Sequence, residues 1–180
     1  SKSNPSVFIA DIGANHDGNI DRACELIRLA AEAGADVAKF QHFEARTIVS
    51  QKGFDNLGND QAHQSNWEKS VFEVYSDASV DRRWTNRLLE ECEENNIQFM
   101  TTPYSYELAT EIAPYLKAIK VGSGDITWLN YLEFLADFQK PLLLATGAST
   151  MEEIERAIEV VQPKNNEIVL MQCNTNYTGN

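Results

Sequence analysis

The sequence predicts an α/β fold of the TIM-barrel type, (β/α)8, with about six of the eight βα units in this chain. Three observations carry that expectation. Short apolar runs of strand length alternate with segments of helical period, the order that builds a parallel sheet with right-handed crossovers. The residues able to do chemistry follow directly after the apolar runs, at the C-terminal strand ends where such barrels collect their sites. The competing fold, an open doubly wound sheet for a dinucleotide, should show GxGxxG after its first strand. That position reads Gly13-Ala14-Asn15-His16-Asp17-Gly18, and Gly122-Ser123-Gly124 lacks a third glycine.

In chain order, Val7 to Ile12 reads as a buried strand with Val7, Ile9 and Asp11 on one face, ending in the polar loop from Gly13 to Gly18. A helix from about Asp21 follows, since Ala23, Leu26, Ile27, Ala30 and Ala31 repeat at helical spacing, and Gly34 closes it. Asp36 to Gln41 is the second strand, with Val37, Lys39 and Gln41 on one face. Phe43 to Val80 has no sustained period, although Trp67 to Tyr75 fits a short helix; a connection this long suits a lid or an ordered excursion. Asp81 to Glu94 reads as a helix through Trp84, Leu88, Leu89 and Cys92, and Ile97 to Thr102 as the third strand, ended by Pro103. Ser105 caps a helix burying Leu108, Ala109 and Ile112 before Pro114.

The fourth strand lies in Ala118 to Asp125, where Ala118 and Lys120 share a face and the run breaks into Gly122-Ser123-Gly124-Asp125. Glycines let the backbone approach a ligand, and the loop amides beside an ammonium suit a phosphate or carboxylate. A helix covers Trp128 to Phe138, and Pro141 to Thr146, nearly all apolar, is a strand covered on both sides. Thr150 and Glu153 form a capping box for a helix whose face is Ile154, Ala157, Ile158 and Val161. Glu167 to Cys173 is the sixth strand, running into Asn174-Thr175-Asn176-Tyr177. A start without Met or a signal-peptide core reads as trimmed, and six strands of eight as a chain that continues past Asn180.

A formal charge of −12 argues against nucleic acid and anionic membranes as partners, so any bound anion must be held by placed lysines and backbone amides. No apolar run approaches the roughly 18 residues that span a membrane. The three cysteines, Cys24, Cys92 and Cys173, are odd in number and lack metal-ligand spacing. They read as reduced, small hydrophobes in a cytoplasmic protein. Strand alternation turns Asp11, Lys39 and Lys120 toward the barrel axis. Lysines gathered there repel unless an anion or a carboxylate sits with them. A substrate with phosphate and carboxylate groups answers that need; Asp11 neutralising one lysine in a structural pair, or a lysine acting as a Schiff-base nucleophile, are the other readings. His16 is open between metal ligand and hydrogen-bonding partner. The pairs Glu32 and Asp36, and Glu90 with Glu93 and Glu94, read as solvated helix faces.

DIGANHDG, AGADVAKFQ, TTPYS, AIKVGSGD, KPLLLATGAST followed by EEI, and MQCNTNY stand in the order and spacing of the sialic acid synthase family, which the chain resembles from about Val7 to Tyr177. The resemblance implies condensation of phosphoenolpyruvate with an open-chain N-acylated mannosamine-type sugar, giving a nonulosonic acid and phosphate. It assigns Asp11, Lys39 and Lys120 as catalytic, Lys39 and Lys120 holding phosphoenolpyruvate with Thr102 and Ser123. Asp125 and Tyr177 match family positions on the sugar side of the pocket, and Asn15, His16, Gln41, Tyr104, Thr146, Asn174 and Thr175, read at the strand ends, are the further candidate substrate contacts. It further implies a divalent cation, manganese or magnesium, whose histidine ligands lie past Asn180, so none is expected bound here. A C-terminal antifreeze-like domain would complete a homodimer. Residues 1–180 are then the N-terminal part of the barrel domain, inactive alone. Four departures stand out: Asp11 where the family has glutamate, Ala145-Thr146-Gly147 for Ser-Thr-Gly, Thr175 for asparagine and Thr178 for proline. Alternatives are a legionaminic or pseudaminic acid synthase, a Schiff-base aldolase, and a non-catalytic sugar-binding barrel.

Overall fold

The computed structural model describes residues 6–50, 52–53 and 68–175. Strand β1 (Ile9–Gly13) runs parallel to β2 (Val37–His42), with Ile9 opposite Val37 and Asp11 opposite Lys39. The register shifts between Asp11 and Gly13, and Gly13 takes up the bulge at φ +56°, a conformation open to glycine without steric cost. Val7 and Phe8, expected inside the first strand, are about two-thirds exposed because pairing starts only at Ile9. Asp36 fastens the near end of this sheet: its carboxylate accepts from the Phe8 N–H and its carbonyl from the Gln98 N–H. β3 (Gln98–Pro103) begins there, giving the order β1-β2-β3.

Helix α1 (Ile20–Glu32) starts where the Asn19 side chain accepts from the Arg22 N–H, buries Ala23, Cys24 and Ile27, and ends before Gly34 at φ +86°. After the short α2 (Ala45–Ile48), the excursion contains α3 (Val71–Ala78), opened by a Ser70–Glu73 capping box. The expected helix over Trp67 to Tyr75 is therefore shifted toward the C-terminus, its start fixed by that box; Trp67 itself lies outside the described residues. A 3-10 turn, Arg82–Trp84, precedes α4 (Thr85–Glu94), which packs on α1 through Leu88 and Cys92. Phe40 of β2, without exposed surface, stacks on Phe99 at 5.8 Å between ring centres.

The chain divides between Phe99 and Met100 into two compact units. In the second, β4 (Ile119–Val121), β5 (Leu142–Ala145) and β6 (Ile168–Met171) form a parallel sheet in that order, with Lys120 opposite Leu143 and Leu144 opposite Leu170. All four residues of β5 are buried, as the apolar run predicts for a central strand. Helix α5 (Tyr106–Ile112) is capped by Ser105, and α6 (Leu129–Ala136) buries Tyr131, Leu132, Leu135 and Ala136. Helix α7 (Met151–Val161) has the predicted Thr150–Glu153 box and packs on α6. Val169 and Leu170 on β6 remain about half exposed. The fold class, α/β with parallel sheets, is as the sequence predicts. No helix among the described residues is long and apolar enough to cross a membrane.

Candidate active-site residues

In the first unit the strand register sets Asp11 beside Lys39, and their side chains meet at 2.8 Å between Oδ1 and Nζ. The partners are unequal: the Lys39 side chain is 7% exposed and that of Asp11 63%. A buried ammonium needs such a counter-charge, while the carboxylate keeps its water. Gly13 makes room for this pair. A Cβ there would lie 3.4 Å from Asp11 Oδ1 and 3.9 Å from Gln41 Cδ, so Asp11, Lys39 and Gln41 form one group over a bare Cα. Asn15, next along the loop, donates from its side-chain amide to the Ile12 carbonyl at 2.9 Å, and its own carbonyl accepts from Arg22 Nε.

His16, expected among the substrate contacts, is buried. It has no exposed surface, its Nδ1 accepts from the Gly18 N–H at 3.1 Å, and its ring meets Trp84 edge-on at 5.5 Å. Burial holds its pKa below the usual histidine value, against a smaller pull upward from Asp17. The sequence pattern does not mark His42 as a partner in this core, yet it too is buried, edge-on to Phe99, and desolvation with the nearby His16 pushes its pKa down to about 4. Glu91, beside the Glu90, Glu93 and Glu94 face read as solvated, is buried on α4, where its carboxylate accepts from Arg87 at 2.6 Å and Asn95 at 3.1 Å.

The second unit builds its group on the β4 loop. Lys120 Nζ donates to the Val121 carbonyl at 2.7 Å. Ser123 Oγ accepts from the Gly147 N–H at 3.2 Å, which leaves the serine proton to be donated elsewhere. A Cβ on Gly122 would stand 3.3 Å from Asp125 Oδ2 and 3.4 Å from Tyr104 Oη, so a carboxyl and a phenol lie over that glycine. Burial raises the Asp125 pKa, with Lys120 opposing. The turn carrying Tyr104 is pinned by Tyr131, whose hydroxyl donates to the Pro103 carbonyl at 2.7 Å. Thr146 Oγ1 donates to the Met171 carbonyl at 3.1 Å. A Cβ on Gly147 would meet Thr175 Cγ2 at 2.5 Å, Ser123 Oγ at 3.0 Å and Cys173 Cβ at 3.2 Å. Cys173 thus joins this group although its apolar reading gave no sign of it, because only the fold brings the β6 end against Gly147.

Thr102 is buried on β3, and Asn174, like Thr175, is exposed after β6. Tyr177 lies outside the described residues. Among the described residues no three His, Cys, Asp or Glu side chains group to hold a metal ion.

Residues 26–180 match the model of the NeuB family. The chain belongs to the NeuB family. It is 33% identical over 178 residues to the N,N'-diacetyllegionaminic acid synthase of Campylobacter jejuni, covering 96% of this chain and 52% of that protein. It is 32% identical over 175 residues to human N-acetylneuraminate-9-phosphate synthase, covering 96% and 48%. The fold is similar, with a TM-score of 0.83 and 26% identity, to a crystal structure of N-acetylneuraminic acid (sialic acid) synthetase from Leptospira borgpetersenii in complex with citrate, over 98% of this chain and 57% of that one. This NeuB-family chain therefore spans about half the length of the curated relatives it matches. Both lysine groups and both glycine-floored strand ends lie in that shared half.

Proposed function

We propose that the protein containing this chain condenses phosphoenolpyruvate with an N-acylated mannosamine-type sugar, forming a nonulosonic acid and phosphate. The observation that carries the reading is Lys39: an ammonium almost wholly buried within β2, opposed by a carboxylate that is mostly in water. An arriving anionic group takes the ammonium, and Asp11 swings outward at little desolvation cost. In the second unit Lys120, the Ser123 hydroxyl and the β4 loop give an anion-binding role of their own, and Asp125 with Tyr104 supplies polar contacts of the kind a sugar needs. Preorganised cations of this sort stabilise the charge that moves onto the departing phosphate. Membership of the NeuB family and relatives named as synthases support the same reaction.

The exposed Val169 and Leu170 on β6 fit further strands of a barrel in the complete protein. A divalent cation, manganese or magnesium by the resemblance, would take its ligands from elsewhere in that protein. Residues 1–180 are in this reading the N-terminal part of the barrel domain, in a cytoplasmic homodimer, and inactive alone.

The test is phosphate release by the full-length protein from phosphoenolpyruvate with N-acetylmannosamine and with diacetylated analogues, followed by mass analysis of the product. Expected is release that needs a sugar and falls about a thousandfold in Lys39→Met and Lys120→Met. Binding of phosphoenolpyruvate without release would favour the non-catalytic barrel. A borohydride-trapped adduct on either lysine would favour the Schiff-base aldolase. The mass of the product separates sialic from legionaminic and pseudaminic acids.

A further inference from the structure

We infer that His16 is a positioning residue: its neutral ring, with a bare Nδ1, ties down the loop joining β1 to α1 next to the Asp11–Lys39 pair, and acid releases that tie. One hydrogen bond sets the tautomer of the ring. The Gly18 N–H donates to Nδ1 at 3.1 Å, so Nδ1 must present its lone pair and the proton of the neutral ring sits on Nε2. Nε2 has no hydrogen-bond partner among the described residues, so the Gly18 contact alone selects the tautomer. The His16 carbonyl accepts from the Asn19 N–H at 2.9 Å, and Asn19 in turn caps α1 through the Arg22 N–H. Gly18 is at φ +68°, and a Cβ there would lie 3.1 Å from the Asp77 carbonyl, which places this turn hard against the end of α3. One ring therefore organises the loop between the β1 end and the first helix.

A second proton changes the geometry. Nδ1–H would point at Gly18 N–H, donor against donor, and the bond would be lost in a place without water. Nε2, lacking an acceptor already, gains nothing in exchange. The charged and titratable groups facing the ring give little help. Asp17, on the same loop, attracts the extra proton but is paired with Arg22 at 3.0 Å. From β2 comes His42, which disfavours a second positive charge. From α3 the Asp77 carbonyl lies against Gly18, the Asp77 carboxylate being held by Lys69 at 2.6 Å. The 3-10 turn offers the uncharged Trp84 ring, with Asp81 and Arg83 paired to each other.

The inference rests on the proposed reaction only where activity is read, and its structural arm is independent. Hydrogen–deuterium exchange of the peptide spanning residues 12–20, in the full-length protein and corrected for intrinsic rates, is compared at about pH 7.5 and about pH 5. Protection in the wild type should drop about tenfold or more at the lower pH. His16→Asn places an amide oxygen where Nδ1 was and cannot titrate, so its protection should not change with pH. His16→Ala should be unprotected at both; should it fail to fold, the wild type and the Asn variant decide. In the proposed reaction the acid limb of kcat/KM should flatten in His16→Asn. Protection that is indifferent to pH in the wild type, or that falls equally in His16→Asn, overturns the inference. Loss of sugar-dependent phosphate release alone, with the exchange pattern intact, counts against the proposed reaction and leaves the loop mechanism standing.

Discussion

The first unit and the second each place a lysine inside a short parallel strand, Lys39 in β2 and Lys120 in β4, yet they manage its charge differently. Lys39 is matched by a mostly exposed carboxylate at 2.8 Å, whereas Lys120 donates to the main-chain carbonyl of its own neighbour, Val121. The first arrangement is an ion pair that a competing anion can displace. The second is part of a backbone cradle whose floor is Gly122 and whose far side is the Gly147 amide. A side chain can yield to a ligand; a main-chain carbonyl in a hydrogen-bonded turn yields far less. The difference teaches that one residue type within a parallel strand can serve as a releasable charge in one place and a fixed one in another.

The largest effect should come from dismantling the releasable pair from either side. Lys39→Met removes the buried ammonium and leaves Asp11 in water, so stability should hardly move while phosphate release falls about a thousandfold. Asp11→Asn does the reverse: it strands a buried charge, and chemical denaturation should show a loss of about 1–3 kcal/mol, below the value for fully buried pairs because Asp11 is mostly exposed. Equal stability losses in the two variants would break the comparison.

The next effect concerns acid. Both histidines among the described residues, His16 and His42, belong to the first unit. His42 is buried neutral with its pKa lowered to about 4, mainly by desolvation. A depressed histidine is protonated more readily in the unfolded chain, so its stabilisation is complete above about pH 6.5 and declines as pH falls toward its folded value, by up to about 3 kcal/mol. Asp125, in the second unit, has the opposite sign. Its raised pKa means that the folded state holds the proton more tightly, so its contribution is full at low pH and is lost as pH rises through the folded value. Exchange protection measured separately over the two units between about pH 7 and pH 4 should therefore fall first in residues 6–50, and His42→Gln should blunt that fall. An acid response that begins around Asp125 would contradict the assignment.

Much of this arrangement was legible in the sequence, for identifiable reasons. Apolar runs such as Leu142–Ala145 specify buried parallel strands whatever surrounds them, and the Thr150–Glu153 box fixes a helix start from two side chains. Lys39 and Lys120 were visible because a charge in an apolar strand has few innocent explanations. What escaped depends on contacts distant in sequence. Glu91 looks like its acidic neighbours until Arg28 and Arg87 close around it at 3.6 and 2.6 Å. His16, in a polar loop, gives no hint of burial under Trp84. The bulge at Gly13 follows from pairing register, which composition does not encode.

Gly147 tests the fixed cradle directly. Its amide donates to Ser123 Oγ, and a methyl at its Cα would press on Thr175 Cγ2 at 2.5 Å and Cys173 Cβ at 3.2 Å. Gly147→Ala should cost about 1–3 kcal/mol and weaken phosphoenolpyruvate binding as Ser123 and the β6 end are pushed apart. Gly13→Ala, by contrast, meets no contact closer than 3.4 Å and is penalised by its φ of +56°, about 1 kcal/mol.

Thr146 should give the smallest change and the sharpest one. Its Oγ1 donates to the Met171 carbonyl at 3.1 Å, and its backbone N–H reaches the same oxygen at 3.0 Å. Thr146→Val keeps the shape and the backbone bond and removes only the hydroxyl donor, so the expected loss is about 1 kcal/mol by chemical denaturation. If the hydroxyl only ties β5 to β6, phosphoenolpyruvate binding should be unchanged. A drop in affinity larger than the loss of stability would mean that the hydroxyl turns from Met171 to the ligand, which would make the second cradle partly releasable and narrow the contrast with Lys39.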